Sequence, residues 1–99
     1  MAITVTKITK QRLVEGGWEV YGLAAFTTTD LTGTIPTKGL RRVTNWSYGL
    51  LGTADELDVI YLNDTESGGE IPVVGGVLNV IRDADGTSGR KFFFYFRGR

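Results

Sequence analysis

The sequence predicts an all-β fold, an antiparallel β-sandwich or jelly-roll-like arrangement of about seven or eight short strands, and three features carry that prediction. The composition is rich in Gly, Thr, Val, Ile and aromatics, which suits pleated, half-buried strands. Short apolar runs recur at roughly ten-residue spacing between Gly and Asp clusters, as strands separated by turns do. The third feature is the run Lys91-Phe92-Phe93-Phe94-Tyr95-Phe96-Arg97, five aromatics in succession between bases. Successive side chains of a strand point to opposite faces, so Phe92, Phe94 and Phe96 share one face and Phe93 and Tyr95 the other. The first trio is expected in the core. Phe93 and Tyr95 then need cover from elsewhere, which another chain would supply.

Taken in order, Ile3 and Val5 alternate with Thr4 and Thr6 as an inward-facing pair, and Ile8 falls out of phase. A bulge near Lys7 accounts for the change. Residues 11–14 continue as an edge strand, and Glu15-Gly16-Gly17 turns the chain into a hairpin with residues 18–26. There Trp18, Val20, Gly22, Ala24 and Phe26 form the better core face, opposite Glu19, Tyr21, Leu23 and Ala25. The small residues Gly22 and Ala24 leave room for the Phe92, Phe94 and Phe96 face.

Residues 27–39 hold three consecutive threonines, Asp30, Gly33, Pro36 and Gly39, with only Leu31 and Ile35 as sizeable apolar residues; a long loop is expected, either a solvated crossover between two sheets or a contact element. Residues 40–48 read as a strand carrying Arg41, Arg42, Trp46 and Tyr48. Thr53 to Glu56 have the form of a capping box, allowing one helical turn, before residues 57–62 form a central strand. Residues 70–74 suit an edge strand because Pro72 cannot donate to a ladder. Gly75 and Gly76 break the chain, residues 77–82 form a strand, and residues 83–89 link it as a hairpin to the C-terminal one.

Ninety-nine residues suit a single domain, residues 1–99, burying somewhat over about 60% of the unfolded surface. Cysteine and histidine are both absent, which removes disulfides, thiolate metal sites and the usual nucleophile–base pairs. No cofactor is expected. The first ten residues lack the apolar core of a secretory signal, and no run approaches membrane-spanning length. The formal net charge is zero but segregated: residues 1–42, 43–89 and 90–99 carry net +3, −7 and +4. Such segregation suits contact between complementary protein surfaces better than nucleic-acid binding, which draws on a net basic face.

Candidate chemistry is sparse. Asp83, Asp85 and Gly86 resemble a calcium loop, but the glycine is fourth and the twelfth residue is Phe94, so turn chemistry explains them. Asp55, Glu56, Asp58, Asp64, Glu66 and Glu70 supply carboxylates, yet a chain this short has little volume for the cleft that paired acid and base catalysis needs. Enzymatic activity is not expected. Asn45-Trp46-Ser47 and Asn63-Asp64-Thr65 satisfy the glycosylation sequon. Two binding readings remain beside a protein interface. Phe93 and Tyr95 with Arg90, Lys91, Arg97 and Arg99 would stack single-stranded nucleic acid, and an exposed Trp18 or Trp46 would serve a carbohydrate module.

Several short elements resemble the small head decoration, or capsid cement, proteins of tailed bacteriophages: the N-terminal strand, Val20-Tyr21-Gly22 running on to Phe26, Pro36-Thr37-Lys38-Gly39 before Leu40, and Gly89-Arg90-Lys91 opening the last strand. Lys38 stands where that family's loop has glycine. The resemblance implies a β-sandwich virion protein, made in the host cytoplasm and bound to the outside of the capsid. There it bridges major capsid protein subunits, often as a homotrimer. The residues expected at an oligomer or capsid interface are Phe93, Tyr95, Arg97, Arg41, Arg42, Pro36 and Lys38. No membrane partner is expected.

Overall fold

A computed structural model of the chain describes residues 3–51, 59–62, 71–73, 75–82 and 90–99. These residues form eight strands and no helix: β1 (Ile3–Arg12), β2 (Trp18–Phe26), β3 (Thr32–Pro36), β4 (Arg42–Leu51), β5 (Ile60–Leu62), β6 (Ile71–Pro72), β7 (Val77–Arg82) and β8 (Arg90–Gly98). They make two antiparallel sheets, β1-β2-β8-β4-β6 and β3-β7-β5, as a small sandwich requires.

The aromatic strand sits at the centre of the larger sheet. On one side Val20, Gly22 and Ala24 oppose Phe96, Phe94 and Phe92, the register expected from the small-residue face of β2. On the other side Trp46, Tyr48 and Leu50 oppose the same three phenylalanines. Their inward rings are fully buried with Val20, Phe26 and Val43, and the smaller sheet closes over them with Ile35, Leu78, Val80 and Ile60. Ring centroids lie 5.6 Å apart for Phe26 and Phe92 and 6.0 Å apart for Phe94 and Phe96, within the range of favourable aromatic pairs. Each such phenylalanine contributes about 1.5–3 kcal/mol by burial, so β8 supplies much of the core energy.

The phase change in β1 is a bulge. The register with β2 shifts between Val5 and Lys7, which brings Ile8 inward opposite Gly22. The hairpin turns at Gly16 and Gly17, whose φ values of 99° and 82° a residue with a side chain rarely adopts, and the Leu13 N–H donates to the Gly17 carbonyl at 3.1 Å.

Three expectations are corrected. Residues 27–39 are not one loop, because β3 occupies Thr32–Pro36 and pairs with β7. Buried Ile35 opposite Leu78 anchors that strand, β-branched threonines suit it, and Pro36 falls at its end where a missing donor costs little. The second correction concerns residues 77–82 and 90–96, which do not form a hairpin: β7 is the middle strand of the smaller sheet and β8 that of the larger. Both edges of β8 are taken by β2 and β4, and both edges of β7 by β3 and β5, so the two strands do not pair with each other. Among the described strands only β1 and β2 follow each other within one sheet; every later connection changes sheets.

Third, residues 57–62 do not supply a central strand. β5 flanks β7, with Ile60 buried and Val59 and Tyr61 exposed, so only one of its faces needed cover. Two boundaries also move. The strand expected over residues 40–48 runs from Arg42 to Leu51, because Leu40 is a buried plug in a turn whose N–H donates to the Thr37 carbonyl. The strand expected over residues 70–74 is β6, two residues at the sheet edge. The capping box at residues 53–56 lies outside the described residues.

Candidate functional site

The structure separates the seven predicted interface residues into two places. Phe93, Tyr95 and Arg97 lie on the outer face of the larger sheet. Pro36, Lys38, Arg41 and Arg42 lie at one pole of the sandwich, where β3 ends and β4 begins.

On the outer face Phe93 is 50% exposed, whereas Phe94 beside it is 1% exposed. Its register partners are Leu23 on β2 and Gly49 on β4. With no side chain at Gly49 the Phe93 ring can lean over that backbone, and a Cβ built there would stand 3.9 Å from the ring. Half of the ring still faces outward. A groove of about 560 Å³, lined by Lys7, Thr9, Tyr21, Leu23, Phe93 and Tyr95, runs alongside.

Toward the hairpin tip the same face turns polar. The Arg97 Nε–H donates to the Tyr95 hydroxyl at 2.6 Å, and that hydroxyl donates to Glu19 Oε2 at 2.8 Å. Glu19 Oε1 accepts from Gln11 Nε2 at 2.9 Å, and Gln11 Oε1 accepts from the Tyr21 hydroxyl at 3.1 Å. Arg97 also pairs with Glu15 at 3.6 Å. The hydrogen bond to Tyr95, followed by the charge interaction with it and then with Glu15 and Glu19, raises the Arg97 pKa above its ordinary value, so the guanidinium stays charged. Tyr95 is thus half-buried and partnered within the subunit; Phe93 is the apolar residue that is not.

Leu23, Tyr21, Glu19 and Gln11 were missed as site residues, although the alternation of β2 already set Glu19, Tyr21 and Leu23 on the face away from the core. The signal was the cross-strand match: Tyr21 stands opposite Tyr95 and Leu23 opposite Phe93.

At the pole, β1, the turn after β3, the start of β4 and the end of β8 converge. Lys10 Nζ donates to the Lys38 carbonyl at 2.7 Å, tying the two sheets together. The same ammonium lies 4.4 Å from the Trp18 ring centroid, and the Arg12 guanidinium 5.7 Å from it. The N–H groups of Arg41 and Arg42 both donate to the Arg99 carbonyl, at 2.8 and 2.9 Å. Lys38 has φ of 57°, the left-handed region that favours glycine.

Neither tryptophan offers an open platform for a sugar. Trp18 lies under Lys10 and Arg12, and the half-buried Trp46 donates its Nε1–H to the Ile60 carbonyl at 3.1 Å. The calcium-like segment at residues 83–87 and the carboxylates at residues 55–70 lie outside the described residues.

No family model, curated protein or solved structure matches the chain.

Proposed function

We propose that this chain is a structural protein of a phage virion, binding the outer surface of the head shell and bridging major capsid subunits as a homotrimer. One observation carries the docking part of this reading: the half-exposed Phe93 at the middle of the larger sheet, flanked by Leu23 on β2 and Gly49 on β4. The ring stands beside a groove lined by Leu23 and Tyr21, and aromatics are enriched at the centres of protein interfaces. The resemblance to capsid decoration proteins supplies the partner and the trimer. The mechanism is mechanical. Covering the exposed half of Phe93 contributes about 1 kcal/mol per subunit, and the ionic network around Tyr95 fixes orientation.

Light scattering tests it. The wild-type chain is expected at a three-chain mass and Phe93→Ser at a one-chain mass, with unchanged circular dichroism. A wild-type monomer unaffected by the substitution refutes the oligomer. The alternative, a platform for single-stranded nucleic acid, requires salt-sensitive binding to an oligonucleotide that Phe93→Ser abolishes. The Glu19 carboxylate held at Tyr95 works against that alternative, because it places negative charge where phosphates would run.

A further inference from the structure

We infer that the pole formed by Lys10, Arg12, Lys38 and Arg41 is a second docking surface, separate from the Phe93 face, whose partner is a carboxylate-rich protein surface. Two segments distant in sequence, residues 10–12 and 38–41, bring these cations to one end of the sandwich. Arg12 pairs with Trp18, and Trp18 pairs with Gly98 in β8. The Lys10 ammonium reaches across the end of the sandwich to the Lys38 carbonyl, and Arg41 is held through its N–H by Arg99. Arg12, Lys38 and Arg41 are exposed. The three side-chain carboxylates among the described residues lie elsewhere: Glu15 and Glu19 engage Arg97, Tyr95 and Gln11, and the Asp30 backbone caps Arg82 near the opposite end.

An independent observation marks the pole as more than a solvated basic rim. Lys38 holds a left-handed φ of 57° in the turn that closes from the Leu40 N–H to the Thr37 carbonyl. Glycine would occupy that position without strain, and the neighbouring Gly39 does so at φ of 91°. A lysine at that position adds an exposed charge to the turn whose carbonyl Lys10 binds, at a cost in backbone energy, the pattern seen where a side chain serves binding rather than folding.

Carboxylates fit this surface better than a nucleic-acid backbone. Lys10 and Arg12 lie against the half-buried Trp18 ring and compete for the aromatic surface a base would need for stacking. The guanidinium forks of Arg12 and Arg41 suit bidentate contact with carboxylates.

Poly-L-glutamate is the probe, titrated into the full chain at low salt and followed by amide chemical-shift changes and calorimetry. The expected result is a salt-sensitive complex with shifts centred on Lys38, Gly39 and Arg41, while Leu23 and Phe93 stay unmoved. The variant Arg12→Ala/Lys38→Ala/Arg41→Ala should bind about tenfold more weakly, the combined effect of three exposed ion pairs. Lys38→Gly separates charge from structure: it should raise Tm by removing strain and still weaken binding. No binding, shifts centred on another surface, or Lys38→Gly binding as tightly as wild type would each overturn the inference. Duplex DNA bound more tightly than poly-L-glutamate would overturn its partner class.

Discussion

The backbone carbonyl of Lys7 occupies the space where a side chain on Gly22 would begin. The β1 bulge places it there, and the bulge in turn lets Ile8 face the core. Gly22→Ala therefore forces the bulge to flatten or the strands to part. We expect a loss of about 2–4 kcal/mol, read as a lower urea midpoint at constant m-value. A loss under about 0.5 kcal/mol would mean that the bulge moves freely.

Phe93 and Phe94 are neighbours in sequence with opposite environments. Phe94→Ala removes a ring buried against Phe96 and should cost about 3–5 kcal/mol. Phe93→Ala should cost about 1 kcal/mol in the separated subunit, since half of that ring is already in water. Chemical denaturation of both variants at low protein concentration checks the contrast.

Arg82 is fully buried at the end of β7. Its Nε–H and Nη2–H groups donate to the Asp30 carbonyl at 3.1 and 2.9 Å, Nη2 also reaches the Thr28 carbonyl, and the guanidinium lies 4.1 Å from the Phe26 ring centroid. Arg82→Ala strands those carbonyls and opens a cavity, for an expected loss of about 3–5 kcal/mol. Hydrogen exchange should show the backbone of residues 27–31 losing protection first.

Tyr95→Phe removes the hydroxyl that links Arg97 to Glu19 while keeping the ring. At this partly exposed position the expected loss is about 0.5–1.5 kcal/mol, and a double-mutant cycle with Glu19→Gln should give coupling of the same order that shrinks at high salt.

Much of this was legible in the sequence. The alternation in residues 90–98 and 18–26 identified both core faces and their pairing, because the period of two is local to each strand; the room at Gly22, however, is taken by the Lys7 carbonyl of the bulge. Ile8 out of phase disclosed the bulge. What stayed hidden was set by which sheet each strand joins: nothing in residues 77–82 distinguishes a hairpin partner of β8 from the centre of the other sheet. β3 was hidden too, since a single buried Ile35 among threonines gives a weak period. Of the candidate site, Phe93, Tyr95 and Arg97 were found together. The pole was not recognised as one surface, because Lys10 and Arg12 reach Lys38 only after the sandwich closes.

The strand at the centre of the larger sheet is also the last of the eight to be synthesised, and its partners β2 and β4 lie about seventy and fifty residues upstream. During translation the β1–β2 hairpin can close early, while β2 and β4 must wait with one edge unsatisfied until β8 leaves the ribosome. The five-stranded sheet then forms through long loop closures, which places folding in the slow millisecond-to-second regime of non-local β topologies. A ribosome stalled before residue 90 would hold two bare strand edges, and those edges are where aggregation of unfinished chains should begin.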